Sequence, residues 1–504
     1  MTCITPSTRR RSRSDAVSPN APARRARSDR RPGGGVPRRG RRWTYAHLRR
    51  DPTPCSIDPD RRLLEAPRGP ALRRALRERA ALERLYASRE GRPVWGNVPR
   101  AARDLLVAVR ASASHGMPPA HYHEAALARL AAQTLPHEDA AEAELLLSDA
   151  FLSLARAFTR GVIDPRAFDA DYDRGEPLPD PLDLLARVVD LGEEPAAVLA
   201  QAAPHHMEYV HLRRALARLH DEMARDDVSP EPDPARVERA AGRATIDRIR
   251  VNLERWRWQP RDLGRRAVRV DIPRFELSLL EDGGAVRSMR VVVGRRDWPT
   301  PVVHSAITQL VLNPAWDVPH SIFVKEMLPR ARLDPAYFDA NGLEIRVRDA
   351  SGWQVVAARS IDWPTLEPDR EAIRVRQPPG PANPLGRIKL PFPGPYDVHL
   401  HGTPGRASFE QPRRTLSHGC VRVEDEIALA LFALAPDPGW SRERLEAALR
   451  TARDQRITLP SPLPVHLFYF TIEADAAGGV TILGDPYGWD ALVLAALDET
   501  ATRP

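Results

Sequence analysis

The stretch Val268-Arg-Val-Asp-Ile272, continued by Phe275-Glu-Leu-Ser-Leu279, decides what kind of fold this chain has. Apolar residues occupy every second position, with Arg269, Asp271, Glu276 and Ser278 between them, which is the period of a half-buried strand. Asp282-Gly-Gly284 then supplies a turn and Val291-Val-Val293 a returning run, so the segment predicts a hairpin. Further strand-like runs lie near 306–312, 343–348, 396–401, 465–473 and 480–483, and Asp425–Leu434 reads as a helix. Upstream the period is 3.6. Leu72, Ala75, Leu76, Leu82 and Leu85 recur at helical spacing, as do Leu145, Leu146, Leu152, Ala155 and Phe158 before Gly161 as a stop. Ile246, Ile249, Leu253 and Trp256 share one helix face. The expectation is an α+β chain, with an all-α N-terminal domain followed by a mainly-β, sandwich-like domain.

Charge divides the chain further. The 504 residues carry a formal net charge of +8, yet residues 1–50 hold fifteen Arg and two Asp, so residues 51–504 are net acidic. A uniformly basic nucleic-acid-binding domain is therefore disfavoured, and no nucleic acid partner is expected. Residues 1–60, rich in Arg, Ser, Pro and Gly, read as a disordered basic tail with no visible signal peptide. No apolar run approaches the roughly 18 residues of a membrane helix. The acidic, Pro-rich stretch Asp226–Pro234 reads as a linker. The expected organisation is a tail at 1–60, a helical domain at 61–225, a linker and connecting helix at 226–262, a β domain at 263–490 and a C-terminal tail at 491–504. Only Lys325 and Lys389 are lysines; this bias, with the Ala and Pro excess, reads as a GC-rich coding sequence rather than as function. Of three cysteines, Cys3 and Cys55 lie near the N-terminus, and no CxxC pair exists, so neither a disulfide framework nor a zinc knuckle is suggested.

That leaves Cys420. It sits in Ser417-His-Gly-Cys-Val-Arg422, downstream of Tyr396-Asp-Val-His-Leu-His-Gly-Thr403. Alternation puts Val398 and Leu400 on one strand face and Asp397, His399 and His401 on the other. Gly419 permits close approach to a substrate, and a following helix N-terminus would favour negative charge. A thiol is largely protonated at neutral pH, since its reference pKa is about 8.5. A nearby imidazole can take that proton, and the thiolate–imidazolium pair supports acyl transfer through a thioester. A backbone carbonyl such as that of Gly402 could orient the imidazole, and N–H groups around Gly419 and Cys420 could form an oxyanion hole. Two alternatives of another class stand beside this: a zinc site built from His399, His401, His418 and Cys420, and a non-enzymatic envelope scaffold.

The two segments closely resemble the catalytic motif of L,D-transpeptidases of the YkuD-domain type, in which His precedes Ser/Thr-x-Gly-Cys by some fifteen residues; fifteen separate His401 from Ser417. Asn252-Leu-Glu-Arg-Trp-Arg-Trp258, Asn313-Pro-Ala-Trp-Asp-Val-Pro319, Gln377-Pro-Pro-Gly-Pro-Ala-Asn-Pro-Leu-Gly386, Gly91-Arg-Pro-Val-Trp95 and His115-Gly-Met-Pro-Pro-Ala-His-Tyr-His123 resemble the large, multidomain, YcbB-like periplasmic subgroup. The resemblance implies Cys420 as nucleophile and His401 as base and later acid. It implies Gly402 as the orienting carbonyl, with Ser417, His418 and Gly419 around the oxyanion. Arg422 would hold the loop or a substrate carboxylate, and His399, where an aromatic is expected, would face substrate. It implies a catalytic domain at 263–490 with a capping subdomain at about 315–385, and no cofactor or metal. Donor and acceptor would be peptidoglycan tetrapeptide stems joined by 3→3 cross-links in the periplasm or cell envelope, with carbapenems reaching the same cysteine. An L,D-carboxypeptidase or cross-link hydrolase would use the same site. The subgroup's usual peptidoglycan-binding module is not recognisable between about 205 and 245.

Overall fold

Helical periodicity in the first half becomes a bundle around one long helix. The computed structural model describes residues 74–132, 140–226, 234–367 and 371–502, with Leu72 and Asp369. The expected basic tail, Cys3, Cys55 and most of the acidic linker lie outside the described residues. Helices α1 (Arg79–Ser88), α2 (Val98–Ala111), α3 (Glu124–Ala132), α5 (Pro181–Val189) and α6 (Pro195–Ala202) belong to a bundle centred on α4 (Ala140–Arg160). Leu145, Leu147, Phe151, Leu152 and Leu154 of α4 are fully buried, so this helix is apolar on nearly every side. Two of its buried polar residues are paired across the bundle: Ser148 meets the Tyr86 hydroxyl and the Trp95 indole N–H, and Asp149 meets His123 at 2.7 Å. α4 ends at Gly161, whose φ of +93° takes the chain out of the helix.

Two further long helices, α7 (Met207–Asp226) and α8 (Pro234–Trp258), join this bundle to the β half. Leu253 and Trp256 of α8 pack with Tyr209 of α7 against Phe468 and Phe470. On the other flank of α8, Arg257 and Glu254 form a fully buried ion pair at 2.6 Å, and Arg257 also donates to the His115 carbonyl.

The β half has fifteen strands among the described residues: β1 (Arg266–Asp271), β2 (Glu276–Glu281), β3 (Gly284–Gly294), β4 (Val303–Leu312), β5 (Trp316–Asp317), β6 (Glu344–Asp349), β7 (Gly352–Val356), β8 (Ile373–Gln377), β9 (Ile388–Pro391), β10 (His399–His401), β11 (Thr415–Ser417), β12 (Val421–Val423), β13 (Gln455–Phe468), β14 (Ile472–Ala474) and β15 (Val480–Ile482). The predicted hairpin is β2–β3, and both Asp282 and Gly283 adopt positive φ at its turn. The large sheet runs β11-β3-β12-β10-β9-β4-β13-β1-β2, and β2 pairs again with β3. The sandwich-like expectation is thus refined: the sheet closes on itself. Closure is possible because the eleven residues of β3 reach three partners, Gly284–Arg290 pairing with β2, Val291–Val292 with β12 and Val293–Gly294 with β11. Inside it, Val268, Leu277, Val291, Leu310 and Leu400 form a core with Leu429 and Leu434 of α9 (Glu426–Leu434) and Leu445 of α10 (Arg442–Arg450).

A second sheet, β5-β8-β6-β7, has its own core, in which Phe323, Phe338, Ile345, Trp363 and Val375 pack together. It falls within the segment 315–385 that was expected to cap the cleft. The segment expected as a C-terminal tail is instead helix α11 (Asp490–Thr502). Val493 and Leu497 are buried, and Asp490 binds Arg248 and Arg255 of α8. Long-range partners hold this helix, so its docking had no local mark.

Candidate active site

Strands β10 and β12 run parallel, with Leu400 beside Val421 and His401 beside Arg422. Leu400 and Val421 are fully buried in the core. Alternation therefore turns His399, His401 and Arg422 to the opposite face. There they line, with Cys420, a cavity of about 1070 Å³. Continuing the register by one residue places Cys420 beside His399, the aromatic position of the motif. The thiol lies 3.6 Å from the Asp397 carbonyl, and the His399 backbone N–H faces the sulfur.

The loop carrying Cys420 is fixed by short polar contacts. Ser417 Oγ donates to the Cys420 carbonyl at 2.5 Å and accepts from the Gly419 N–H at 3.2 Å. Buried Thr300 accepts from the Gly294 N–H at 2.8 Å and donates to the Gly419 carbonyl at 2.7 Å, tying the loop to β3. Gly419 has φ +107°, a conformation that side chains with a Cβ rarely adopt. Two expectations change here. The Gly419 N–H is already bonded to Ser417 and is not aimed at a substrate. Cys420 does not precede a helix directly: β12 intervenes, and α9 starts at Glu426 with Asp425 as its cap. A helix dipole therefore does not act on the sulfur, since that influence fades within one turn.

His401 Nδ1 lies 2.6 Å from the Gly402 carbonyl. A carbonyl only accepts, so Nδ1 carries the proton and Nε2 keeps its lone pair. Gly402 is held in turn by its N–H bond to Ile388 of β9. Burial lowers the His401 pKa to about 3, with His399, Arg422 and Lys389 adding repulsion and the Gly402 bond opposing them. His399 is also lowered to about 3, by burial and then Lys389. Burial pushes the Cys420 thiol up, although the His399 N–H, Lys389 and Arg422 work the other way. Burial thus favours a neutral thiol and a neutral imidazole over the expected thiolate–imidazolium pair.

Ser417, His418 and Gly419 line the same cavity, and Gly402 stands behind His401. The His418 side chain, expected near the oxyanion, turns to Glu326 at 2.6 Å, and Trp298 meets its ring edge-on. Arg295 binds the same carboxylate at 3.2 Å. Burial opposes ionisation of Glu326, but these two bonds hold it below the ordinary carboxylate range. The four side chains of the zinc alternative form no metal-holding cluster; among the described residues no group of three or more His, Cys, Asp or Glu does.

Sequence reasoning missed three contributors. Thr300 and Glu326 carry no motif, since their partners lie 119 and 92 residues away. Lys389 lines the cavity beside His401, and Ile388-Lys-Leu390 had the alternation that could have placed it. The helical half also contributes a wall through Phe168, Asp169 and Tyr172, and Tyr396 donates its hydroxyl to Asp169.

The site thus brings together a thiol and an imidazole with an unprotonated Nε2, on adjacent parallel strands and facing one cleft. Comparison with known proteins identifies the domains. Residues 265–448 match the model of the L,D-transpeptidase catalytic domain, YkuD, and residues 80–216 match the Scaffold domain. A putative L,D-transpeptidase of Haemophilus influenzae is 34% identical over 221 residues, which cover 44% of this chain and 44% of that protein. A solved structure, the Ldtfm-avibactam carbamoyl enzyme, shares 10% identity at a TM-score of 0.19, over 42% of this chain and 51% of that one. Residues 265–448 thus form a YkuD-type L,D-transpeptidase catalytic domain, preceded by a Scaffold domain at residues 80–216. No helix among the described residues is long and apolar enough to cross a membrane.

Proposed function

We propose that the protein joins peptidoglycan stem peptides in the cell envelope, using Cys420 as nucleophile and His401 as proton carrier. The observation that carries this reading is the His401–Gly402 bond, which leaves Nε2 as the acceptor on a ring that shares its cavity with Cys420. As Sγ attacks the carbonyl of the L-centre of the donor's third residue, the thiol proton passes to Nε2. The S–C bond forms and negative charge gathers on the carbonyl oxygen. With the Gly419 N–H engaged, the Cys420 N–H is the loop donor left to meet that charge. Collapse breaks the C–N bond, the imidazolium returns the proton to the leaving D-Ala amine, and a thioester remains. A side-chain amine of a second stem then attacks the thioester, loses its proton to Nε2 and restores the thiol, giving a 3→3 cross-link. Because both partners start neutral, no charge separation precedes attack.

Incubation with a tetrapeptide muropeptide tests this. Intact-mass spectrometry should find one acyl adduct on Cys420, none on Cys420→Ala, and cross-linked dimer should accumulate. An adduct mapped elsewhere refutes the nucleophile. D-Ala release with no dimer at any acceptor concentration refutes transfer in favour of hydrolysis.

A further inference from the structure

Three basic side chains line the cavity, and they differ in what they face. Arg255 is occupied, its guanidinium 2.6 Å from Asp490. Lys389 and Arg422 are half-buried and make no ion pair among the described residues. They flank one group: Lys389 is the register neighbour of His401 on β9, and Arg422 is its neighbour on β12. Adjacent strands lie about 4.8 Å apart, so the three side chains form a short row with the imidazole at its centre. A partly desolvated cation without a counter-ion is costly, and two of them flanking one base make a site that favours an anion. The cavity's acids are engaged elsewhere: Asp297 and Asp317 lie near Arg295 and Arg376, Asp397 near His399, and Asp169 accepts from the Tyr396 hydroxyl. Lys389 is also one of only two lysines among 75 basic residues, a compact ammonium where this chain almost always uses arginine.

We propose that Lys389, with Arg422, receives the free C-terminal carboxylate of the donor peptide and selects donors that end in a free acid. This rests on the acyl-transfer reading. The nitrogen that His401 protonates and the terminal carboxyl carbon are separated only by one Cα, about 2.5 Å in standard geometry. A proton donor works within about 3 Å of its acceptor. The carboxylate therefore falls within one side chain's length of the imidazole, where Lys389 and Arg422 converge. A donor whose last residue is amidated, or extended by another residue, brings no charge to that point.

The test compares a tetrapeptide stem ending in D-Ala with the same peptide ending in D-alaninamide. Thioester formation on Cys420 is followed by intact mass. Wild-type protein should favour the acid by about 10- to 100-fold in kcat/KM, the range of one or two charge-assisted contacts. Lys389→Met should remove most of the acid-to-amide preference, because loss of the charge beside His401 acts on both peptides alike and only the carboxylate contact separates them; Lys389→Arg should restore part of the preference. Equal turnover of both peptides by wild type, or equal slowing of both by Lys389→Met with melting temperature unchanged, overturns the proposal. If Lys389→Met melts early, Lys389→Gln replaces it, and the acid-to-amide ratio remains the readout. Absence of any adduct on wild-type Cys420 with either peptide brings down the acyl-transfer reading, and this proposal with it.

Discussion

Replacing Gly386 with Ala should slow acylation of Cys420 although the residue touches neither thiol nor imidazole. Gly386 has φ +65°, and a Cβ built on it would lie 2.6 Å from the Gly402 carbonyl carbon and from the Thr403 nitrogen, both backbone atoms. An ordinary contact needs 3.4 Å or more, so the loop holding Gly402 would have to yield by roughly 0.8 Å. That loop supplies the oxygen 2.6 Å from His401 Nδ1. Misplacing a catalytic group by about 1 Å can cost on the order of 10²-fold in rate, so a loss of about 10- to 100-fold is expected. Stability should fall as well, by about 1–2 kcal/mol for an alanine at positive φ and about 1–3 kcal/mol for overpacking. Gly283→Ala is the control. Its φ is +81° but no atom lies within 4 Å of the added Cβ, so it bears only the backbone cost. The assay is the second-order rate of adduct formation at Cys420 by mass spectrometry, beside urea unfolding of both variants. If Gly386→Ala acylates within twofold of Gly283→Ala, the Gly402 carbonyl does not orient the base and the argument fails.

Thr300→Val keeps the shape of a buried side chain but removes the bridge between the Gly294 N–H and the Gly419 carbonyl. Each stranded group costs about 1–3 kcal/mol, so both melting temperature and acylation rate should drop, and Thr300→Ser should recover both. Unchanged behaviour of Thr300→Val would show that the bridge does not hold the loop. Burial raises the Cys420 pKa, so its thiolate appears only above the ordinary thiol range. The rate of alkylation by iodoacetamide should therefore still be climbing at pH 8.5–9. A plateau below pH 7 would contradict a neutral resting pair.

What could be read from the sequence was whatever neighbouring residues enforce. The Asp282-Gly283 turn shows in its own residues because only a few side chains accept positive φ, and both do so in the structure. The two faces of β10 show in the alternation of Val398, His399, Leu400 and His401. The strand-like run at 465–473 misses the first half of β13, where Pro460, Pro462 and Pro464 lack the N–H a ladder needs. The structure accommodates Pro460 and Pro462 at a register irregularity between Thr458 and Leu463, where regular pairing with β4 is interrupted, while Pro464 keeps its place opposite Ala306. Closure of the sheet was hidden for a similar reason. It depends on how far β3 extends past its hairpin partner, and alternation within a strand is the same in an open sheet and a closed one.

The charge state of the site was hidden more deeply than its members. Cys420 and His401 can be named from a motif, but whether a proton sits on sulfur or nitrogen depends on what surrounds both. Burial disfavours both charged forms, lifting the thiol and lowering the imidazole, and Lys389 and Arg422 add a repulsion to His401 that no spacing rule contains. Those same cations would favour a thiolate, yet their pull on Cys420 is outweighed by desolvation. An anion seated between them would offset that repulsion at the imidazole, leaving burial as the main force against its charged form. A donor with a free carboxylate would then bring, along with its scissile bond, the charge that makes His401 a better base. An amidated donor would lack that effect even where it binds equally well, so its deficit should appear in kcat as well as in KM.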